Sequence, residues 1–599
     1  MGARHFGARV ARLEDPALLT GRGRFVDDIR LAGALHACFV RSPHAHAKIR
    51  SLDAFAARAM PGVHAVLTAD DLPARMARSQ IPMLVPNPSI TAPRTQLALA
   101  RREVCYVGQT IAVAIADNRY LAEDAAAAVN VDFETLPAVS DCREAARPDA
   151  PPAHSDLASN VAAVVAMSYG VFTNRVPTTV VRGAGRPQAV FAMERLMDRI
   201  ARELDIDRAE LRRRNMIRPE QMPYSVGLVF RDGKPLVYAS GDFPKSQERA
   251  LARADYQEFR ARQSKAHAEG RYRGIGIANY VEGTGLGPFE GVTVRVLPNG
   301  KVAVATGATT QGQGTRTTLS QIVADEVGCR IEDIVMTVGD TAAISQGVGA
   351  FASRQAINAG SSALIAGASV RKQIIALAAR ILGVSEDNID VEDGRAIARA
   401  GNKPSLTLGE LARAAQGSPG FSFAAGQTPG IERTAYFTPP QASYCNGTHV
   451  AEVEVDPFTG AVKLLRYTVA HDSGNIINPL VVDGQVQGGV AHGIGNALFE
   501  WMKYDQRAQP LTATFQDYLM PAALDVPGCD IEHVETPNPL NPLGVKGAGE
   551  GGTIPAPAAI ISAVEDALSS FGVRFAAMPL TPDRIVEALR QAGAYEKLA

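Results

Sequence analysis

The sequence lacks any pair of cysteines spaced for a metal cluster. Its six cysteines are spread along 599 residues, and none of them belongs to a Cys-x-x-Cys motif. Zinc and iron–sulfur sites use closely spaced cysteines, and disulfide frameworks occur in short, cysteine-rich chains. The spacing therefore argues against a zinc site, an iron–sulfur cluster and a disulfide framework within this chain. The six positions are Cys38, Cys105, Cys142, Cys329, Cys445 and Cys529.

The sequence also lacks a net charge of either sign and a long apolar run. Its formal net charge is -1, which provides no electrostatic footprint for nucleic acid or an anionic membrane. No long uncharged apolar stretch predicts a membrane span, and Met1–Phe6 leads into charged sequence rather than into an apolar signal core. Hydrophobic residues at 46% and charged residues at 21% are ordinary globular values, so we expect a soluble, cytoplasmic protein.

The first 150 residues have the pattern of a small mixed domain. Residues 35–41 and 107–116 have the composition of strands, and residues 120–129 form an alanine-rich helical pattern. Strands that alternate with helices in this way predict an α+β fold. The proline-rich stretch at 147–152 is typical of a linker.

Residues 541–555 set one carboxylate, Glu550, in a glycine-rich turn with few neighbouring side chains. Glycine allows positive φ and close approach of the backbone to a ligand, so the four glycines of residues 547–552 predict main-chain amides that face a bound group. A carboxylate held there, away from bulk water, is suited to act as a general base. The alternative is a solvated loop with an incidental acid.

Residues 181–187 form a second glycine-flanked loop, with Arg182 directly before an amphipathic helix that we predict over residues 188–204. A guanidinium placed before a helix N-terminus adds positive charge to the positive end of the helix dipole. This arrangement suits an anionic group or a developing oxyanion. The alternative is an ordinary turn at the start of a helix, with surface arginines.

A third loop follows two strands that we predict at 291–296 and 302–306, joined by an Asn-Gly turn. Residues 307–315 contain Gln311-Gly-Gln-Gly314 and lead into a predicted helix at 319–327. Glycines at a helix N-terminus expose amide hydrogens that suit a phosphate or a pterin, and two glutamines offer paired donors and acceptors to a heterocycle. The loop matches neither a Walker motif nor a dinucleotide fingerprint.

Three histidines near the N-terminus, His36, His44 and His46, raise the question of a metal site. The stretch Ser42-Pro-His-Ala-His46 offers no acid or cysteine at ligand spacing. We therefore expect no metal there.

Taken together, these loops imply one large, elongated cofactor gripped mainly by backbone. From near residue 7 to near residue 590, the chain resembles the molybdenum-binding large subunit of the xanthine dehydrogenase, aldehyde oxidase and aerobic carbon monoxide dehydrogenase family. The motifs are specific in combination, although each is weak alone. They are Gly21–Asp28, Val107–Ala114, Arg182–Pro187, Gln311–Gly314, Ala352–Gln355, the Asp472–Gln487 region, Phe515–Leu519 and Pro542–Glu550.

The resemblance implies a fold, a cofactor and roles for residues. The implied cofactor is molybdopterin with molybdenum, in bacteria usually molybdopterin cytosine dinucleotide. Glu550 matches the family's base, and Arg182 matches an arginine near the substrate that can stabilise negative charge in the transition state. The positions that match cofactor contacts are Gln311, Gly312, Gln313, Gly314, Thr315, Phe351, Ser353, Arg354, Asp472, Asn478, Gln485, Lys546, Gly547, Ala548 and Gly549.

The resemblance also implies domains and partners. Residues 1–150 would form an α/β hammerhead domain and residues 151–170 a linker. Residues 171–270 would be the remnant of a first molybdopterin-binding domain, and residues 271–599 a second such region. Electrons would leave through an iron–sulfur small subunit to an FAD-binding medium subunit, in a dimer of heterotrimers. The scattered cysteines agree with an expectation that this chain itself holds neither an iron–sulfur cluster nor FAD.

The chain departs from the family pattern in two places. In copper-containing carbon monoxide enzymes a cysteine follows the active-loop arginine, whereas Gly183 stands here, so carbon monoxide is not the expected substrate. A long family segment, which includes a Gly-Gly-Phe-Gly-Gly-type loop, has no counterpart here, and we place this internal deletion near residues 161–171. Two hypotheses follow: a molybdenum hydroxylase acting on an aldehyde or an N-heterocycle, and an inactive paralogue that serves as a binding or assembly protein.

Overall fold

The computed structural model of the chain describes residues 5–82, 95–157, 159–165, 168–230, 233–399, 404–417 and 428–598. The chain divides into two compact units. The larger unit contains Met1–Gly23, Val180–Phe499 and Pro521–Ala599, and the smaller unit contains Arg24–Thr179 and Glu500–Met520.

The described strands, in chain order, are β1 (His36–Arg41), β2 (Ala47–Asp53), β3 (Val63–Thr68), β4 (Glu103–Val104), β5 (Thr110–Ala116), β6 (Asn130–Thr135), β7 (Val161–Val165), β8 (Ser168–Val171), β9 (Tyr224–Val229), β10 (Pro235–Tyr238), β11 (Tyr272–Thr284), β12 (Glu290–Val296), β13 (Val302–Thr306), β14 (Ile334–Val338), β15 (Ile389–Glu392), β16 (Arg395–Ala398), β17 (Ser405–Thr407), β18 (Glu432–Phe437), β19 (Ser443–Val455), β20 (Val462–Asp472) and β21 (Cys529–His533).

The α-helices are α1 (Asp15–Leu19), α2 (Phe55–Arg58), α3 (Ala74–Arg78), α4 (Arg119–Ala127), α5 (Cys142–Ala145), α6 (Arg186–Glu203), α7 (Arg208–Arg214), α8 (Phe243–Arg253), α9 (Tyr256–Ala268), α10 (Thr315–Val327), α11 (Gln355–Leu382), α12 (Leu408–Ala414), α13 (Pro479–Ile494), α14 (Ala556–Ala567), α15 (Pro582–Gln591) and α16 (Ala594–Leu598). Short 3-10 helices cover Val26–Asp28, Pro219–Gln221, Ile331–Asp333, Glu386–Asn388 and Ser569–Phe571, and a π-helical turn covers Gly495–Phe499.

The smaller unit contains two three-stranded antiparallel sheets, ordered β1-β5-β3 and β4-β2-β6. Helix α4 joins β5 to β6, and it begins at Asn118, whose side chain accepts the N–H of Leu121 at 3.0 Å. Small buried residues such as Ala114 and Ala125 pack between helix and sheet. The mixed α/β character that we predicted for this region is confirmed.

The larger unit is built around a sheet ordered β11-β19-β20-β21. Strand β11 pairs antiparallel with β19 along all 13 of its residues, and helix α14 packs on both strands. A Cβ at Gly274 would overlap the carbonyl oxygen of Ala563, and one at Gly276 would overlap that of Ala559. These two glycines let the α14 backbone lie directly on the strand.

A second sheet, ordered β14-β13-β12-β18, packs against α10 and α11. Among the described residues, α11 alone is long and apolar enough to span a membrane by length and composition. The buried residues that line α11, including Ile357, Val370 and Ile374, belong to the core that it forms with this sheet and α10. Its apolar character is therefore accounted for as that of a core helix.

The larger elements follow the sequence pattern closely. The hairpin predicted at 291–306 is present as β12 and β13, and the predicted helix at 188–204 is present as α6. The stretch near residues 161–171, where we placed the deletion, forms an antiparallel pair, β7 with β8. Residues 166–167, between these strands, lie outside the described residues.

We expect Gly276→Ala to destabilise the protein by about 1–3 kcal/mol, because its new methyl group must displace the α14 backbone. The midpoint of thermal or denaturant-induced unfolding measures the change. Gly528→Ala is the control: a Cβ there meets nothing within 4 Å, so its midpoint should match that of the unsubstituted chain. Equal midpoints for the two variants would contradict the packing described for Gly276.

Candidate active site

A cavity of about 580 Å³ lies in the larger unit, where five loops meet. Its walls come from residues 180–182 before α6, the loop and first turns of α10, the start of α11, the segment that leads into α13, and residues 545–550. The volume is within the range of pockets that bind small molecules and cofactors. Three of these walls contain the start of a helix, α10, α11 or α13.

Nearly all residues that the sequence predicted for the site line this cavity. Gly314 and Asp472 are the exceptions: Gly314 is the N-cap of α10, and Asp472 is fully buried at the end of β20. The predicted residues in the lining are Arg182, Gln311, Gly312, Gln313, Thr315, Phe351, Ser353, Arg354, Asn478, Gln485, Lys546, Gly547, Ala548, Gly549 and Glu550. Their individual roles remain predictions.

The carboxylate of Glu550 is held at the cavity wall by two donors. Its Oε1 accepts the backbone N–H of Gly183 at 2.8 Å, and its Oε2 accepts the Ser353 hydroxyl at 3.0 Å. Glu550 is only 8% exposed. Both donors come from distant segments, which fixes the direction in which the carboxylate points.

The glycines beside Glu550 also serve close packing, and the expectation that their amides face a ligand stays a prediction. A Cβ at Gly551 would overlap the Tyr280 hydroxyl, and one at Gly552 would overlap the backbone oxygen of Val486. The Gly547 N–H donates to Thr284 Oγ1 at 3.1 Å. The sequence signal for glycine was sound, and it reflects in part the contact between protein segments.

Arg182 ties two cavity walls together. Its Nε donates to the carbonyl of Gly549 at 2.6 Å, and its Nη2 donates to the carbonyl of Gln485 at 2.8 Å. Burial lowers the pKa of the guanidinium, and the nearby carboxyls of Glu550 and Glu282 oppose that shift. Arg182 thus places positive charge next to the Glu550 loop.

Two further predicted residues hold the walls in place. Arg354 is fully buried, and its Nη1 donates to Glu290 Oε2 and to the carbonyl of Gly349, each at 2.8 Å, while its Nε donates to the carbonyl of Leu286 at 2.8 Å. Lys546 Nζ lies 2.7 Å from Asp472 Oδ2 and 2.7 Å from Thr536 Oγ1. The charges of Arg354 and Lys546 are therefore paired within the protein.

The Gln311 loop is closed by a residue that we had not assigned to the site, Gln355. Its side-chain oxygen accepts the amide of Gln313 at 2.6 Å and the Thr315 hydroxyl at 2.8 Å. Gln355 also lines the cavity. It lies at the end of the Ala352-Ser-Arg-Gln355 motif, so the sequence signal for it was present.

Sequence reasoning missed Glu282 and Ser473 as well. Glu282 lies in β11 and is 0% exposed, with Oε1 at 3.2 Å from Ser353 Oγ. Ser473 lines the cavity, and its buried hydroxyl has no hydrogen-bond partner among the described residues. Glu282 directly precedes the glycine-rich stretch Gly283-Thr-Gly285-Leu-Gly287, but no helix begins from this stretch, so local pattern alone does not single it out.

The histidine cluster near the N-terminus differs from the sequence expectation. The fold brings an acid and a cysteine to His46, because its ligand atom lies within 4.8 Å of those of Glu103 and Cys105. His46 Nδ1, however, is 2.6 Å from the carbonyl of Pro137, and Nε2 is 2.7 Å from Glu103 Oε1. Both ring nitrogens are engaged in hydrogen bonds, so this group is explained as a buried polar network.

Three stretches of the chain match models of known protein families. Residues 249–527 and 131–216 match two family models described as molybdopterin cofactor-binding domains. Residues 20–137 match the a/b hammerhead domain of aldehyde oxidase and xanthine dehydrogenase.

Relatives and solved structures agree with these matches. The chain is 29% identical to the nicotine 6-hydroxylase large subunit of Paenarthrobacter nicotinovorans, with 98% of this chain and 94% of the relative covered. It is 36% identical to subunit gamma of the 6-hydroxypseudooxynicotine dehydrogenase complex of the same organism, with 71% and 53% covered. The crystal structure of quinoline 2-oxidoreductase from Pseudomonas putida 86 superposes with a TM-score of 0.87 at 28% identity, with 99% of each chain covered.

These matches define a molybdopterin-binding subunit of an oxidoreductase. The chain belongs to the family of molybdenum-binding large subunits that includes xanthine dehydrogenase, aldehyde oxidase and aerobic carbon monoxide dehydrogenase. The α+β fold and the hammerhead domain that the sequence predicted are confirmed.

The alignment also bears on the internal deletion. It spans 782 positions, whereas this chain has 599 residues, so the nicotine 6-hydroxylase large subunit has internal sequence without a counterpart here. The position of the deletion near residues 161–171 remains a prediction.

The lining of the cavity fits the family's cofactor. The first residues of α10 and α11, Thr315 and Gln355, lie in the lining, and neither helix has a side chain that caps its first amides. Uncapped helix N-termini favour an anionic group such as a phosphate. The unpartnered Ser473 hydroxyl offers a further polar contact. Donors of this kind suit a pterin with a phosphate-bearing tail.

We expect Arg354→Met to destabilise the protein by about 3–5 kcal/mol, because it leaves the fully buried Glu290 carboxylate without its cation. Chemical unfolding measures the loss. Arg399→Met is the matched control, since Arg399 pairs with Asp390 on the surface and its loss should change the unfolding midpoint little. A similar loss in both variants would contradict the structural role of the buried pair.

Proposed function

We propose that this chain is the molybdenum-cofactor subunit of an oxidoreductase that hydroxylates an N-heterocycle or an aldehyde with oxygen from water. The observation that carries the proposal is the Glu550 carboxylate, fixed by Gly183 and Ser353 at the wall of the cavity and flanked by Arg182. A carboxylate with two fixed donors, next to a cation, is arranged to accept a proton in one direction.

Each residue has a defined task in this proposal. The cofactor, when bound, supplies a centre for two-electron oxidation of carbon. Glu550 accepts a proton from the water-derived hydroxyl, and Arg182 stabilises negative charge that develops on the substrate. Glu550 is 8% exposed, and a carboxylate shielded from bulk water interacts more strongly with nearby charges. The net reaction consumes substrate and water, and it releases hydroxylated product, two protons and two electrons.

The electrons require acceptors outside this chain. We assign them to an iron–sulfur small subunit and an FAD-binding medium subunit in a cytoplasmic dimer of heterotrimers, with molybdopterin cytosine dinucleotide as the cofactor. The names of the relatives support a complex, since they include a large subunit and a complex subunit gamma. The scattered cysteines support the placement of the clusters in a partner.

Two observations support a substrate class: the names of related proteins and the residue at position 183. Nicotine and quinoline, in the names of two related proteins, are N-heterocycles, and this favours a heterocycle over an aldehyde. Gly183 has φ of 100°, and a Cβ there would lie 2.7 Å from the ring of Pro187. In this conformation the loop has no room for the cysteine of the copper-containing enzymes, which argues against carbon monoxide as the substrate.

The second candidate is an inactive paralogue that acts as a binding or assembly protein. The observation that favours it is the absence of the internal segment that the nicotine 6-hydroxylase large subunit carries. A catalytic site needs supporting residues around those that react, and the missing segment belongs to the same family of domains.

Molybdenum content separates the two candidates. We expect about one molybdenum per chain after co-expression with the iron–sulfur and flavin partners, because the lining residues fit the cofactor. Elemental analysis of the purified complex measures it. Well-folded chain without molybdenum would contradict the enzyme proposal and favour the scaffold.

Glu550→Gln tests the base directly. We expect turnover of quinoline or nicotine with a dye as electron acceptor to fall at least about a hundredfold, since an amide cannot accept the proton. Molybdenum content should stay the same, because Gln keeps the size of the side chain: its oxygen accepts the Gly183 N–H, and its amide NH2 can donate to Ser353 Oγ. Glu220→Gln, on the exposed surface, is the control and should leave turnover unchanged. Normal turnover in the Glu550 variant would rule out its role as base.

A further inference from the structure

One serine hydroxyl in the cavity wall faces two carboxyl groups. Ser353 Oγ lies 3.0 Å from Glu550 Oε2 and 3.2 Å from Glu282 Oε1. A hydroxyl has a single hydrogen, and an ionised carboxylate can only accept. Ser353 can therefore donate to one of the two groups only. The other contact is a hydrogen bond only if that carboxyl is protonated and donates to Ser353 Oγ.

The surroundings decide which carboxyl carries the proton. Glu550 receives the Gly183 N–H at its other oxygen and lies near the Arg182 guanidinium, which stabilises a negative charge. Glu282 is fully buried and forms no ion pair within the described part of the chain. Its Oε2 faces the thiol of Cys445 at 3.4 Å, a weak donor. Burial, and next the charge of Glu550, raise the pKa of Glu282 well above its usual value.

The other titratable groups around Glu282 do not supply a compensating charge. Burial, with Glu282 as the next cause, raises the pKa of the Cys445 thiol well above its usual value, and burial does the same for the Tyr280 phenol. The Tyr280 hydroxyl lies 2.7 Å from His471 Nδ1, and burial lowers the pKa of this histidine to about 4. Two cations oppose the rise in the pKa of Glu282: Arg186, whose Nη2 donates to the carbonyl of Gly283 at 3.3 Å, and Arg182, whose guanidinium interacts with the carboxyls of both Glu550 and Glu282.

We propose that Glu282 is a positioning residue for Glu550, a neutral acid that donates to Ser353 and thereby turns the serine hydroxyl toward the Glu550 carboxylate. The chain of donors then runs in one direction, from Glu282 through Ser353 to Glu550. The Gly183 N–H donates to the other oxygen of Glu550, so the carboxylate stays anionic and both of its oxygens are oriented. The positioning role rests on the proposed function of Glu550 as base, whereas the protonation of Glu282 does not.

The first test needs neither cofactor nor substrate. The pKa of the Glu282 carboxyl is near its ordinary value of 4.5 when the chain is unfolded, and this pKa is raised in the folded protein. Between these values the unfolded chain releases a proton that the folded chain keeps, so rising pH destabilises the fold. Glu282→Gln has no such proton, and its stability relative to the unsubstituted chain should rise with pH.

The expected size is at most about tenfold in the unfolding equilibrium constant per pH unit, in the pH range above 4.5 and below the raised pKa of Glu282 in the folded protein. Denaturant midpoints of the full chain, measured at several pH values, give the change. Glu220→Gln, in an exposed position, should show the same pH dependence as the unsubstituted chain. A difference in stability between Glu282→Gln and the unsubstituted chain that does not change with pH would overturn the proposal. Failure of this variant to fold would overturn it as well, because Gln reproduces the donor and the acceptor of a neutral acid.

The second test uses the assembled enzyme. Ser353→Ala removes the bridge, and we expect kcat to fall about tenfold with little change in KM, while the acid limb of the pH profile moves to higher pH. Glu282→Gln should lower kcat less than Ser353→Ala does, because its amide still donates to the hydroxyl. An unchanged pH profile in Ser353→Ala would overturn the positioning role. If no variant turns over and the stability test still succeeds, the proposed function fails and the protonation of Glu282 stands.

Discussion

The buried ion pair between Arg354 and Glu290 is the interaction on which the site depends. Both side chains are removed from water, which is costly unless every charge and lone pair finds a partner. Arg354 meets this condition through Glu290 and the backbone oxygens of Leu286, Phe289 and Gly349. The pair therefore fixes the segment before α11, and with it Ser353, in the unusual backbone conformation of φ 48°. The geometry around Glu550 follows from that segment.

Much of this site was legible in the sequence because its parts are local motifs. Loops such as Arg182–Pro187 and Gln311–Gly314 keep their meaning in short stretches, since glycine, arginine and glutamine have distinct backbone and hydrogen-bonding properties. The fold brought these loops together at one cavity, as a single elongated cofactor would require. The hairpins and the longer helices were equally readable from periodicity and turn residues.

What the sequence did not reveal depends on contacts between distant segments. Glu282 lies near the C-terminal end of β11, and only the pairing of β11 with β19 and the approach of Ser353 give it a role. The same holds for His46, whose partner Glu103 lies 57 residues further along the chain. The glycines at 551 and 552 also depend on contacts between distant segments. Their type was informative, but only the packing partners, Tyr280 and Val486, show what the missing side chains make room for.

The contact between α14 and β11 has a consequence for how this scaffold can diversify. Gly274 and Gly276 lie in the strand that carries Glu282, and α14 begins shortly after Glu550 in the sequence. Glu282 lies in β11, and Glu550 lies just before α14. The backbones of this strand and this helix are in direct contact, which leaves no room for added atoms. Substitutions at this contact that would change the chemistry by shifting either acid are therefore not tolerated one at a time. We expect new substrate preferences to arise instead at exposed side chains of the cavity lining, such as Val180, Val181 and Phe351, where substitution leaves the contact between α14 and β11 intact.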